Sequence, residues 1–137
     1  MAVMAFMETH AVRVPPSKDF RAFATVSATG DLLGAVALNN WWGRVCTAHI
    51  ASVGGHWGNR ELIWRTFDFV FRYADRRAII APVQASNERA LKVNKKLGFK
   101  EASRVPDGWA DGDDLIFMQL LREDCRWLER LNKRFAH

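Results

Sequence analysis

Residues 85–101 read Ala85-Ser86-Asn87-Glu88-Arg89-Ala90-Leu91-Lys92-Val93-Asn94-Lys95-Lys96-Leu97-Gly98-Phe99-Lys100-Glu101. Ser86 suits a helix N-cap, because its hydroxyl can accept from an amide two or three residues on. The helix then runs to Leu97. Gly98 stands where a helix C-terminal glycine belongs, since it adopts positive φ without a Cβ penalty. Phe99 to Val105 leaves that corner as a strand.

Outward from this unit the pattern continues in both directions. Ala78 to Gln84 is a short apolar run, hence a buried strand. Arg60 to Ala74 is a helix, with Ile63, Phe67, Val70, Phe71 and Ala74 at spacings of three and four. Glu61–Arg65 and Asp68–Arg72 are favourable i,i+4 pairs on its outer side. The loop Ser52 to Asn59 carries Gly54, Gly55 and Gly58. Before it, strands at Phe20–Ala28, Leu32–Leu38 and Arg44–Ala51 form an antiparallel meander. Thr29-Gly30-Asp31 and Asn39 to Gly43 are its turns. Residues 1–19 show no clear period. Downstream, Asp114 to Leu121 reads as a strand, Pro106–Asp113 as its Gly- and Asp-rich connector, and Arg122 to Phe135 as a terminal helix. A meander followed by a βαβ crossover and C-terminal strands is an α/β (α+β) mixed sheet with helices on its faces. Without repeats or an internal linker, residues 1–137 read as one domain.

This order resembles the GNAT superfamily of acetyl-CoA-dependent N-acyltransferases. Asn87, Ala90, Lys96, Leu97, Gly98 and Phe99 match the family's helix-and-strand motif, an Asn and a small residue followed by Leu-Tyr-Glu-Lys-Leu-Gly-Phe. Asp114 to Leu120 resembles the family's last strand. Arg122 to Trp127 is similar to the tails of small acetyltransferases of phage and bacterial genomes. The resemblance covers residues 20–127 and is strongest over Asn87–Phe99. It implies a coenzyme A co-substrate and direct attack by an amine of a small molecule or protein. The tail and the Leu-Gly-Phe region resemble the branch that acetylates protein N-termini and ribosomal proteins.

The resemblance assigns a coenzyme site to Ile50 and Ala51, to the loop Gly55-His56-Trp57-Gly58-Asn59-Arg60, and to Asn87 and Asn94. The chemical demand on that loop is a set of backbone N–H groups at a helix N-terminus, aimed at a pyrophosphate. The family's loop reads Gln/Arg-x-x-Gly-x-Gly/Ala. Here only Gly58 matches well, and Arg60 replaces a small residue, where it either adds a charged contact to phosphate or obstructs it. Asn94 replaces the family's tyrosine acid, and an amide cannot supply a proton at neutral pH. The family's usual opening of a strand and two helices is shortened to residues 1–19. His49 is the candidate base, having a suitable intrinsic pKa; the competing account is a partly buried histidine bonded to a neighbouring strand. Trp41-Trp42 at a hairpin turn reads as an acceptor wall, a dimer contact or an apolar cluster covering the sheet end.

Composition sets the outer bounds. The chain is 49% hydrophobic and 26% charged, which suits a folded globular domain. No stretch reaches the roughly 20 apolar residues that span a bilayer. No basic-then-apolar leader opens the chain, so a cytoplasmic protein with Cys46 and Cys125 reduced is expected. A net charge of +5 favours acidic partners, a phosphate-bearing cofactor among them. Glu123, Asp124 and Glu129 dilute the basic terminal segment, which argues against a nucleic-acid helix. No His, Cys, Asp and Glu spacing suits a metal. Nine Phe and six Trp, with sheet edges to cover, make a homodimer an expectation. The alternative function is a GNAT-like binding protein without turnover, favoured by Asn94, the altered loop and the short N-terminus.

Overall fold

A computed structural model describes Val3, Ala5, Phe6 and residues 20–52 and 60–130. Its strands are β1 (Arg21–Val26), β2 (Leu32–Asn39), β3 (Val45–Ser52), β4 (Ala78–Gln84), β5 (Lys100–Ala110) and β6 (Asp113–Leu121). Helix α1 (Arg60–Phe67) lies between β3 and β4, and α2 (Glu88–Leu97) between β4 and β5. One six-stranded sheet has the order β1-β2-β3-β4-β6-β5. Only β3 and β4 run parallel; the other pairs are antiparallel. This is the mixed sheet with a meander and a crossover that the sequence predicts.

Local chemistry explains the elements. The β1–β2 hairpin turns at Gly30, with φ 89°, while the Ser27 hydroxyl accepts from Asp31 N–H at 3.1 Å. β2 is Leu-Leu-Gly-Ala-Val-Ala-Leu-Asn, and its last six residues are buried. A continuous apolar run instead of an alternation marks a strand covered on both faces. Strand alternation sends Val36, Leu38, Cys46, Ala48, Ile79, Ala81, Ile116, Met118 and Leu120 to the core shared with α1 and α2. Ala35, Ala37 and Ala51 face the other way, under Val3, Phe6 and Phe20.

The sequence predicts one helix over Arg60–Ala74, and the structure divides it. α1 ends at Phe67, and Asp68–Tyr73 is a wider π-helical turn. The wider turn keeps Phe67, Val70 and Phe71 in the core while Phe69 swings out against Phe23 and Trp41. Glu61–Arg65 and Asp68–Arg72 form the expected pairs at 3.4 Å each.

The N-cap of α2 is Asn87, not Ser86: Asn87 Oδ1 accepts from Ala90 N–H at 3.1 Å. Ser86 is drawn away by Asp113, whose carboxylate accepts from its hydroxyl at 2.6 Å and its N–H at 2.9 Å. Gly98 closes the helix at φ 104°, as expected, with its N–H on Lys95 O. Two further boundaries move. The predicted connector Pro106–Asp113 is mostly strand, because β5 continues to Ala110 over a bulge between Val105 and Ala110. Gly108 permits that bulge; a Cβ there would lie 2.8 Å from Val105 Cβ and 2.9 Å from Leu115 Cβ. After β6, Arg122–Asp124 is a short 3-10 helix, and the α-helix starts at Trp127 instead of Arg122. Phe135 lies outside the described residues.

Candidate active site

The sheet opens at one place. β3 and β4 pair only at Val45↔Ala78, Cys46↔Ile79 and Thr47↔Ile80. Yet β3 runs on to Ser52 and β4 to Gln84. Each keeps its outer partner throughout, with β2 held to Gly34↔Ser52 and β6 to Gln84↔Leu115. The inner edges part while the outer edges are held, so the cleft has two supported walls.

The sequence contains the cause. Ala78 N–H donates to Arg44 O at 3.4 Å. Alternate residues of a strand turn their backbone groups the same way, so Ile80, Pro82 and Gln84 also face β3. The rung after Thr47↔Ile80 requires an N–H from residue 82, and proline has none. The ladder stops there. On the opposite wall the same alternation turns the N–H and C=O of Ile50 into the cleft. The backbone of Ala51 turns to β2 instead, where it pairs with Ala35.

His49 lies just past the vertex, opposite Ala37 on β2. Its side chain is on the face away from α1 and α2. Its Nε2 is buried without a hydrogen bond, and burial holds its pKa below the ordinary 6.5. The ring is therefore neutral at pH 7 and able to accept a proton. Next to it on the same face lies a polar cluster that is not among the expected site residues. Thr47 hydroxyl donates to Asn39 Oδ1, and Asn40 Nδ2 donates to Thr47 at 3.2 Å. Asn39 is wholly buried, and its Nδ2 has no partner. The available signal was the polar residue ending an otherwise apolar strand.

The remaining expected residues divide. Arg60 is exposed at the first position of α1, the helix that follows the cleft strand. Gly55, His56, Trp57, Gly58 and Asn59 lie outside the described residues. Asn87 stands at the start of α2, beyond the end of β4, with its Oδ1 committed to the cap. Asn94 is 5% exposed; its Nδ2 donates to Ala90 O at 2.8 Å, and its Oδ1 is buried without a partner. Trp41 precedes β3 and so stands at the end of that strand away from the cleft. It packs edge-on to Phe69 at 5.8 Å, with the Arg76 guanidinium 5.4 Å from its ring centroid. Trp42 is exposed. Cys46 and Cys125 are free and buried, and burial pushes their thiols up to about 12 and about 11. Among the described residues, no three His, Cys, Asp or Glu side chains gather as a metal site, and no helix is long and apolar enough to cross a membrane.

No protein-family model matches the chain, and no curated protein matches it either. Solved structures do. Mutant forms of the spermidine/spermine N-acetyltransferase SpeG from Vibrio cholerae match at a TM-score of 0.65 and 23% identity, over 94% of this chain and 79% of theirs. The spermidine N-acetyltransferase of that organism in complex with CoA and spermine matches at 0.65 and 22%, over 89% and 75%. A structure of SpeG with manganese ions matches at 0.63 and 22%, over 97% and 78%. The architecture of this chain is thus the GNAT fold of those acetyltransferases.

Proposed function

We propose that this chain, across its whole length, is one acyltransferase domain that moves an acetyl group from acetyl-CoA to a primary amine by direct attack in a ternary complex. The observation that carries the reading is the cleft beyond Thr47↔Ile80, with unpaired backbone on one wall and a neutral histidine at its vertex. The bound coenzyme is suited to the gap between β3 and β4. Ile50 N–H is placed to donate to the thioester carbonyl, where negative charge develops on attack. The His49 imidazole takes the proton of the attacking amine. The amine nitrogen bonds to the carbonyl carbon, the carbon–sulfur bond breaks, and the coenzyme leaves as thiolate.

The two asparagines have limited roles in this chemistry. Asn94 keeps its Oδ1 unpartnered and one Nδ2 hydrogen on Ala90 O, so it can accept a hydrogen bond from the ligand, but as an amide it gives no proton to the thiolate. Water or the substrate supplies that proton. Asn87 keeps its amide N–H groups for the coenzyme arm, its oxygen being spent on the cap. The loop Gly55 to Asn59, together with Arg60 at the N-terminus of α1, is the proposed pyrophosphate site. The matched acetyltransferases are named for spermidine and spermine, which are polycations. β1 to β4 here contain no Asp or Glu to hold one. The acceptor screen therefore sets monoamines and peptide N-termini beside spermidine.

Calorimetric titration with acetyl-CoA tests the cofactor site. Micromolar binding is expected, and Arg60→Ala should weaken it about 5- to 10-fold through loss of one charge-assisted phosphate contact. No binding to either protein would end the enzyme reading. The Asn94 side chain also supports a second reading, a coenzyme-binding protein without turnover; tight binding with no amine-dependent thiol release from any acceptor would select it.

A further inference from the structure

Beneath the cleft lies a small cavity of about 20 Å³. Ala48 and Ile50 of β3 and Ile79 of β4 form its sheet side, with Ile63 and Phe67 of α1 and Val93 of α2 above. Its one hydroxyl, that of Thr66, is committed to Leu62 O at 2.8 Å. A cavity without free polar groups does not hold water well, and it prefers apolar atoms. The volume is little more than that of one water-sized group, so one added methylene fits.

The cavity is placed where an acyl chain would go. On the proposed function, which this inference rests upon, the amine arrives from the His49 face. Attack on a thioester comes perpendicular to its plane, so oxygen, sulfur and acyl chain must spread within the plane of the sheet. With the oxygen on Ile50 N–H and the sulfur toward the open mouth, the first acyl carbon is left pointing at the vertex, and the chain beyond it turns to the helix side, opposite the amine, where the cavity lies. At the vertex the ladder ends at Thr47↔Ile80, and the next side chain on the helix side is only Ala48. We infer that this cavity is an acyl-chain pocket, and that the protein takes a three-carbon thioester in preference to acetyl.

Calorimetry with acetyl-, propionyl- and octanoyl-CoA on the native protein tests this without requiring turnover. Burying one further methylene should tighten binding by up to about 4-fold. Propionyl-CoA is therefore expected to bind roughly 2- to 4-fold tighter than acetyl-CoA, with no further gain for octanoyl-CoA. Ala48→Val fills the space from the sheet and should bring the propionyl-to-acetyl ratio to about 1. Val93→Ile fills it from α2 and serves if the first variant does not fold. Equal or weaker binding of propionyl-CoA by the native protein would overturn the inference and leave the proposed function standing. A ratio unmoved in the folded variants would also overturn it. Failure of every thioester to bind would remove the proposed function and this inference together.

Discussion

Replacing His49 by Ala is expected to lower the rate of acyl transfer by about 100- to 1,000-fold while leaving the affinity for acetyl-CoA within a few-fold of native. General-base catalysis by a positioned side chain contributes on that scale, and His49 lies just past the cleft vertex with its ring held neutral, whereas the nearby Cys46 thiol is buried and hard to ionise. The native pH profile carries the same signature. Desolvation lowers the His49 pKa from 6.5, so the fall in kcat/KM on the acid side should lie below pH 6.5. Stability follows with a definite sign. A histidine depressed by burial binds fewer protons folded than unfolded. Its contribution is fully present above about pH 6.5 and is lost as pH falls through the lowered folded value. Urea denaturation at pH 7.5 and pH 5.5 should show a loss on acidification that His49→Ala reduces. An Ala variant of native rate, or one whose coenzyme affinity collapses in parallel, would assign His49 to structure.

Phe71→Ala should cost about 3–5 kcal/mol, the range for deleting a buried aromatic ring. Phe71 is 0% exposed, stands 6.1 Å from Phe67 ring to ring, and packs in the cluster that includes Ile79, Ile116, Met118 and Leu120. Domains of this size are stable by only about 5–15 kcal/mol, so the variant should be partly unfolded or strongly weakened to urea. Its place in the π-helical turn makes the test sharper. On a regular helix continued from α1 the ring would sit at a different angle to the sheet. A loss below about 1.5 kcal/mol would mean that the wide turn does not seat Phe71 in the core. The site is at the other end of α1, so acetyl-CoA affinity of the folded protein should change little.

The fold was legible wherever local chemistry and tertiary need agree. β4 matches its predicted residues from Ala78 to Gln84, and the helix ends at Gly98, because only a residue tolerant of positive φ fits there. The N-cap shifted by one because Asp113, 27 residues away, competes for Ser86; no local pattern reveals such a partner. The π-helical turn was hidden because Val70, Phe71 and Ala74 keep plausible helical spacing from Phe67. β5 was cut short because Pro106, Asp107 and Gly108 read as a turn, whereas Asp114 Oδ1 accepts the Asp107 N–H at 3.0 Å and the strand continues past a bulge. The site was less legible, and its clearest signal, Pro82, has no part in the reading of Ala78 to Gln84 as a buried strand. A proline within a run that otherwise reads as a central strand marks an edge without a partner. Here that edge is the cleft. Asn39 and Thr47 escaped because their importance arises only when β2 and β3 pair.

Amide hydrogen exchange with and without acetyl-CoA tests the central claim most directly, because it reports where the coenzyme lies even if the acceptor is unknown. Thiol release, the companion assay, has a low protein background because Cys46 and Cys125 are buried and hard to ionise. Added protection is expected at the amides of Ile50 and Ser52, at Gln84 at the end of β4, and over the first turn of α2 from Glu88 to Leu91. Exchange unchanged at these amides, or protection confined to the Trp41–Tyr73 end of the sheet, would contradict the claim.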